Sequence, residues 1–225
     1  NTLEQASNFI NPRIRILKDT NPKIKSNINF LKHRETKIPN NEHEPINFYW
    51  VGALARHAGT ISHRWFKRFS ERQTSMDPIN IDKIRSISKS WALELGVSEN
   101  DIKNVCDRVE KTITNCLDDS NGRWILSGSG KCEYPVTGLV DGFIESIVID
   151  RILFDSDTHW IIDYKTSTHE GGGLDLFLKQ EADRYSHQLR KYSILYKNLT
   201  NHKPRTALYF PILKSFHEVH IDDVN

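Results

Sequence analysis

Cysteines are few, long apolar runs are missing, and neither sign of charge dominates. Each shortage excludes something. The three cysteines, Cys106, Cys116 and Cys132, have no paired close spacing and cannot by themselves supply a four-thiolate zinc or iron–sulfur site. Their odd number also argues against a disulfide framework, so a reducing, cytoplasmic setting is expected. No apolar stretch approaches the ~20 residues that span a bilayer, so no membrane partner is expected. With 31 basic and 29 acidic residues the net charge is +2. Gross charge therefore does not announce nucleic acid, and only local basic patches could. The first residue is Asn1 with no secretory pattern, which reads as a fragment cut from something longer. No internal repeat is present.

What remains suits one α/β domain, or a domain with an appendage: 225 residues, 37% hydrophobic, with ten phenylalanines and five tryptophans for a core. Residues 1–47 are rich in Asn, Lys, Pro and Glu with short apolar islands, and read as a linker or strap from a preceding domain. From about Val51 to Ser70 a helical stripe appears: Ala58, Ile61, Ser62, Trp65, Phe66 and Phe69, with His63 on its flank. A second helix is expected to open at Asp77-Pro78 and run past Ile84, Ile87 and Trp91 to Gly96. A third begins near the capping pattern Ser98-Glu99-Asn100-Asp101 and buries Ile102, Val105, Val109 and Ile113. After the polar stretch Asp118–Gly122 the chain is expected to turn β-rich, with strands at Glu133–Val136 and Leu139–Ile144. A long helix from Leu174 to about Leu199 follows the Gly171-Gly172-Gly173 loop. A strand at Ala207–Phe210 and a weaker one near Val219 complete a mixed central sheet flanked by helices.

The most informative stretch lies between. Ser146–Phe154 and His159–Lys165 read as two strands joined by the polar turn Asp155-Ser156-Asp157-Thr158. If the hairpin is symmetric about that turn, Asp150 and Asp163 face each other, with Cβ atoms about 4.5–5.5 Å apart. Opposed like charges beside the apolar run Trp160-Ile161-Ile162 ask for a cation. Lys165 projects from the same face as Asp163. The competing reading is a solvated strand edge with a surface ion pair.

Three pieces then line up: Gly59-Thr60-Ile61-Ser62-His63 on the first helix, Asp150 with Asp163-Tyr164-Lys165-Thr166 on the hairpin, and Gln188 with Tyr192 at i, i+4 on the last helix. In this order they resemble the RecB-like branch of the PD-(D/E)xK nucleases, found at the C-terminal end of RecB and AddA helicase-nucleases. That branch carries a G-T-x-x-H helix, an Asp thirteen residues ahead of D-Y-K-[ST], and a Q-x-x-x-Y helix. The thirteen-residue separation of Asp150 and Asp163 agrees. Ile149 stands where the superfamily's proline would be, as is usual in this branch. Asp141, in Gly138-Leu139-Val140-Asp141-Gly142, is 22 residues ahead of Asp163, too far for the usual hairpin.

The resemblance implies a restriction-endonuclease-like α/β fold over residues 48–225, with an N-terminal helical subregion. It implies metal ligation by His63, Asp150, Asp163 and the Tyr164 carbonyl, with Asp150, Asp163 and Lys165 catalytic. Gln188 and Tyr192 would support the site or touch DNA. Arg64, with Arg56, Lys67 and Arg68, is either an ordinary solvated helix face or a phosphate contact. Mg²⁺ is the implied cofactor, with Mn²⁺ a substitute. The implied activity is exonuclease-type DNA hydrolysis in double-strand-break repair. Its partners would be single-stranded DNA, helicase domains of the same parent chain and a second helicase-nuclease subunit. A stand-alone nuclease, a non-catalytic DNA-binding domain on the same fold and a purely structural α/β domain are the competing readings. Tyr185 is read as a core aromatic, and Glu145 as outside the site.

Overall fold

A computed structural model describes residues 47–221 except Glu170; the segment read as a linker or strap lies outside the described residues. Among these, five α-helices and five strands form three layers. In chain order they are α1 (Asn47–Ser70), α2 (Ile81–Glu94), α3 (Glu99–Asp118), α4 (Ser120–Ser127), β1 (Ser129–Val140), β2 (Phe143–Asp155), β3 (Thr158–Tyr164), α5 (Leu174–Thr200), β4 (Arg205–Phe210) and β5 (Ser215–Val219). The strands lie side by side in sequence order. Only the β3–β4 pair is parallel, as the intervening helix α5 requires; the other three pairs are antiparallel. The expected mixed sheet flanked by helices is what the chain forms.

The two faces of the sheet are covered differently. Helices α1 to α4 pack on one face through Ile61, Trp65, Phe66, Phe69, Ile113 and Ile125, against Leu153, Trp160, Ile162 and Tyr209. The α1 stripe read from the sequence is buried throughout: Ala58, Ile61, Ser62, Trp65, Phe66 and Phe69. Each large apolar side chain so covered contributes about 1.5–3 kcal/mol. Trp65 stays buried because its indole N–H donates to Ser88 Oγ at 2.9 Å. Among the described residues, helix α5 covers the other face, through Leu178, Leu189, Tyr192 and Leu195 against Ile149, Ile152, Ile161 and Leu208.

Three boundaries differ from expectation. Helix α2 starts not at Asp77-Pro78 but after Asn80, whose side chain accepts from Lys83 N. The Asp77 carboxylate instead pairs with both terminal nitrogens of Arg123. Asp118–Gly122 is not a break into the sheet. Asp119 accepts from Gly122 N and so caps α4, a turn-like composition serving as a helix start. Finally, Leu139–Ile144 is not one strand: Asp141 and Gly142, both at positive φ, turn β1 into β2 as an antiparallel hairpin.

Candidate active site

The register of β2 against β3 is the one the turn implies: Asp155 pairs with Thr158, Leu153 with Trp160 and Arg151 with Ile162. Asp150 and Asp163 are the next positions beyond the last of these pairs. Here regular pairing stops. On the other side of β2, β1 pairs Cys132 with Arg151 and Tyr134 with Ile149, passing over Glu133 and Asp150. Ile149 faces α5, whereas Arg151, two residues on, enters the opposite face to reach α4. A regular strand would send both to the same side, so β2 is distorted at Asp150. Asp150 repairs the break by accepting from Tyr164 N at 3.0 Å through Oδ2. Glu133, opposite it, takes a positive φ of 46°, which costs a non-glycine residue roughly 1–3 kcal/mol.

These distortions gather three potential ligands. Nδ1 of His63, from α1, lies 3.5 Å from Asp150 Oδ1 and 3.9 Å from Glu133 Oε1. One donor atom each from His63, Glu133 and Asp150 fall within 4.8 Å of one another, a spacing that could hold a metal ion. The approach of α1 depends on Gly59. A Cβ built at this position would come 3.0 Å from Thr166 Oγ1, just beyond Lys165. The glycine of Gly59-Thr60-x-x-His63 thus sets how closely the histidine helix meets the end of β3.

Asp163 joins the same field from a different angle. Its side chain is almost wholly buried; Oδ1 accepts from Gln188 Nε2 at 2.7 Å, and the Lys165 ammonium lies 2.7 Å from Oδ2. The Lys165 contact is one of charge and proximity, because its direction falls outside hydrogen-bond geometry. Gln188 Nε2 also donates to Tyr192 Oη at 2.5 Å, so the amide ties α5 to the aspartate. The two aspartates share a register position but turn to different partners: Asp150 to α1 and Tyr164 N, Asp163 to α5 and Lys165.

Electrostatics shows how poorly this arrangement is neutralised. Two carboxylates about 5 Å apart repel by about 3 kcal/mol at an effective dielectric of ~20. Burial first, and then the charge of Asp150, push the Asp163 carboxyl up to about 6, despite Lys165. Glu133 is raised for the same two reasons, with His63 and Lys67 opposing. Burial alone would lower His63, but Asp150, with Asp163 and Glu133 further off, outweighs it and raises the imidazole above its usual value. Burial and the nearby Asp163 push Tyr192 up to about 12, keeping it a neutral hydroxyl. With His63 neutral, as a metal ligand must be, three carboxylates against one lysine leave two negative charges, the complement of a divalent cation. The oxygen-rich donor set with one imidazole fits a hard one.

A family model for the PD-(D/E)XK nuclease superfamily matches residues 50–222, most of the chain. The chain belongs to this superfamily. No curated protein matches the sequence. Nucleases of this superfamily generally use divalent metals, and membership makes DNA the substrate class.

Within this PD-(D/E)XK domain, three residues weighed in the sequence lie outside the cluster. Arg64 turns away toward α2, where its two terminal nitrogens donate to Glu94 at 3.0 and 3.2 Å and its guanidinium lies over Trp91. It is placed in a surface ion pair and not in the cluster. Asp141 pairs with Arg190 at the β1–β2 turn, and Glu145 with Lys191, so neither enters the cluster. Two residues of the site were not visible. Glu133 gave no signal because only the positive φ within β1 aims it inward. Tyr185 is more than a core aromatic: the Lys165 ammonium sits 3.7 Å from its ring centroid. Its spacing three residues before Gln188, on the same helix face, was the available clue.

Proposed function

We propose that this domain is a metal-dependent DNA nuclease, and that His63, Asp150 and Asp163, with the Tyr164 backbone carbonyl and Glu133, hold its cation. The observation that carries the reading is the donor cluster of His63, Glu133 and Asp150, with the buried, raised Asp163 and its Lys165 beside it. Mg²⁺ suits these donors best, with Mn²⁺ a substitute. Such an ion supplies a Lewis acid for a phosphate oxygen and makes a water acidic enough to attack.

The chain's own residues do the rest. Lys165, held on Asp163 and against the Tyr185 ring, presents an ammonium to the charge that grows on the phosphoryl oxygens and orients the attacking water. Asp163, fixed by Gln188 and through it by Tyr192, keeps that ammonium in place. Asp150, tied to Tyr164 N, holds the end of β3 and faces His63. No covalent enzyme intermediate is required. Asp163→Ala and Lys165→Ala test this directly. Each should abolish Mg²⁺-dependent cleavage while leaving the circular dichroism of the fold unchanged; unaltered cutting by either would remove the assignment.

The motifs support a narrower reading: an exonuclease domain of a RecB/AddA-like helicase-nuclease in double-strand-break repair. It would act in the cytoplasm on single-stranded DNA delivered by helicase domains of the parent chain, alongside a second subunit. What supports it is the G-T-x-x-H, D-Y-K-T and Q-x-x-x-Y order with its thirteen-residue spacing. Finding helicase motifs in the parent reading frame upstream of Asn1 is its test. An upstream frame without them would favour a stand-alone nuclease.

A further inference from the structure

Beside the exit of β3, α1 and α3 enclose a cleft of about 430 Å³ that takes no part in the cluster above. Its walls include Leu54 of α1, Asn104, Asp107, Arg108 and Lys111 of α3, and Thr168. Much of the lining is apolar, with Ala55, Val105 and Ile212 beside Leu54, and its polar rim carries two cations. Arg108 is half-buried; one terminal nitrogen donates to the carbonyl of Thr166 at 2.8 Å, while its Nε is buried with no partner. Burial lowers its pKa, and no neighbouring acid offsets that. Lys111, one turn along α3, is exposed and has no acidic partner among the described residues. The single acid in the wall, Asp107, is already occupied by Arg85 and Lys103, each at 2.9 Å. A partly desolvated guanidinium with an unused donor, beside a free ammonium and the polar side chains of Asn104 and Thr168, is a site for an anion.

Which anion follows from position. Thr166, gripped by Arg108, is the residue after Lys165. Leu54 and His63 are nine residues apart on α1, about 13 Å along the helix and roughly half a turn around it. That distance is a few nucleotides of extended backbone.

We infer that the Arg108–Lys111 cleft binds a backbone phosphate of the substrate strand flanking the scissile linkage, fixing which phosphodiester reaches Lys165. This rests on the nuclease reading. It predicts that part of the substrate affinity is electrostatic, independent of sequence and separable from chemistry.

Full-chain Lys111→Gln, Arg108→Gln and Arg108→Lys provide the test, with two substrates. Bis(p-nitrophenyl) phosphate has no flanking phosphate and reads chemistry alone; a short single-stranded oligonucleotide reads the cleft as well. Lys111→Gln and Arg108→Gln should each raise KM for the oligonucleotide about tenfold, leave bis(p-nitrophenyl) phosphate turnover unchanged and flatten the salt dependence of binding by about one unit of slope. Arg108→Lys should recover part of the loss. One neutral methylphosphonate at a fixed linkage should weaken binding to the parent chain and add nothing in Lys111→Gln.

Equal losses on both substrates would overturn the inference, since Arg108 would then only hold Thr166. Unchanged KM and salt slope would overturn it too. If the parent chain hydrolyses neither substrate, the nuclease reading fails. Oligonucleotide anisotropy in EDTA then still decides the cleft: loss of binding in Lys111→Gln upholds it, and identical binding refutes it.

Discussion

Adjacent residues of β2 send opposite charges to different helices on the same face of the sheet, Asp150 to α1 and Arg151 to α4, and the two are treated in opposite ways. Arg151, 1% exposed, is inserted beneath the end of α4. There its guanidinium donates to the carbonyls of Ile125 at 3.0 Å and Gly128 at 2.6 Å, with Cys132 Sγ 3.4 Å from the third nitrogen. Those carbonyls are the negative end of a helix, so dipoles and hydrogen bonds answer the cation without a carboxylate. Asp150, one residue earlier, is placed with two other acids against a single lysine, and the raised values of Asp163 and Glu133 record the deficit. A buried charge that is fully partnered is structural. A group of charges left short by two is a binding site awaiting a counter-ion.

The comparison can be broken in several places. The largest effect should come from Asp163→Ala: cleavage falls at least ~10³-fold, about 4 kcal/mol of transition-state stabilisation, with little loss of folding. Arg151→Ala should do the reverse. Stability falls by about 3–5 kcal/mol from the cavity and the orphaned carbonyls, read by urea unfolding, while turnover per folded molecule is retained. If Arg151→Ala instead folds normally and loses activity, the division between the two charges is wrong. Tyr192→Phe removes the hydroxyl that receives the second Gln188 hydrogen bond, and should cost about 10–100-fold in activity, as supporting groups of a metal site do. The smallest effect belongs to the exposed Asp77–Arg123 pair. The Arg123 guanidinium holds the Asp77 carboxyl below its usual value, so its contribution is present above about pH 4 and fades as pH falls through the lowered value. Asp77→Asn should barely move Tm at neutral pH and should slightly reduce the protein's sensitivity to acid.

How much of this was legible follows the same line between regular and strained backbone. Regular segments announced themselves: the α1 stripe, the hairpin register and the Gln188–Tyr192 face follow from periods of 3.6 and 2, and the fold carries each of them. The hairpin turn alone placed Asp150 opposite Asp163. What the sequence hid lies where the backbone departs from a period. Glu133 enters the site only through a positive φ that no composition signals, and Asp150 leaves Asp163 for His63 because β2 is distorted at that residue. Asp118–Gly122 looked like a loop because capping residues and turn residues are the same amino acids. Arg64 was placed by charge and helix position, but Glu94 thirty residues away claims it, a tertiary contact that helical spacing within α1 could not reveal.

The central claim is that the acids of the distorted β1–β2–β3 row and the imidazole of α1 together grip one divalent ion. Calorimetric titration of the full chain with Mn²⁺ tests it most directly, set beside Glu133→Gln and His63→Ala. The account predicts one ion per chain, a rise in Tm on binding, and marked weakening in both variants. Binding of equal strength in both variants, or no binding by the parent chain, would contradict it.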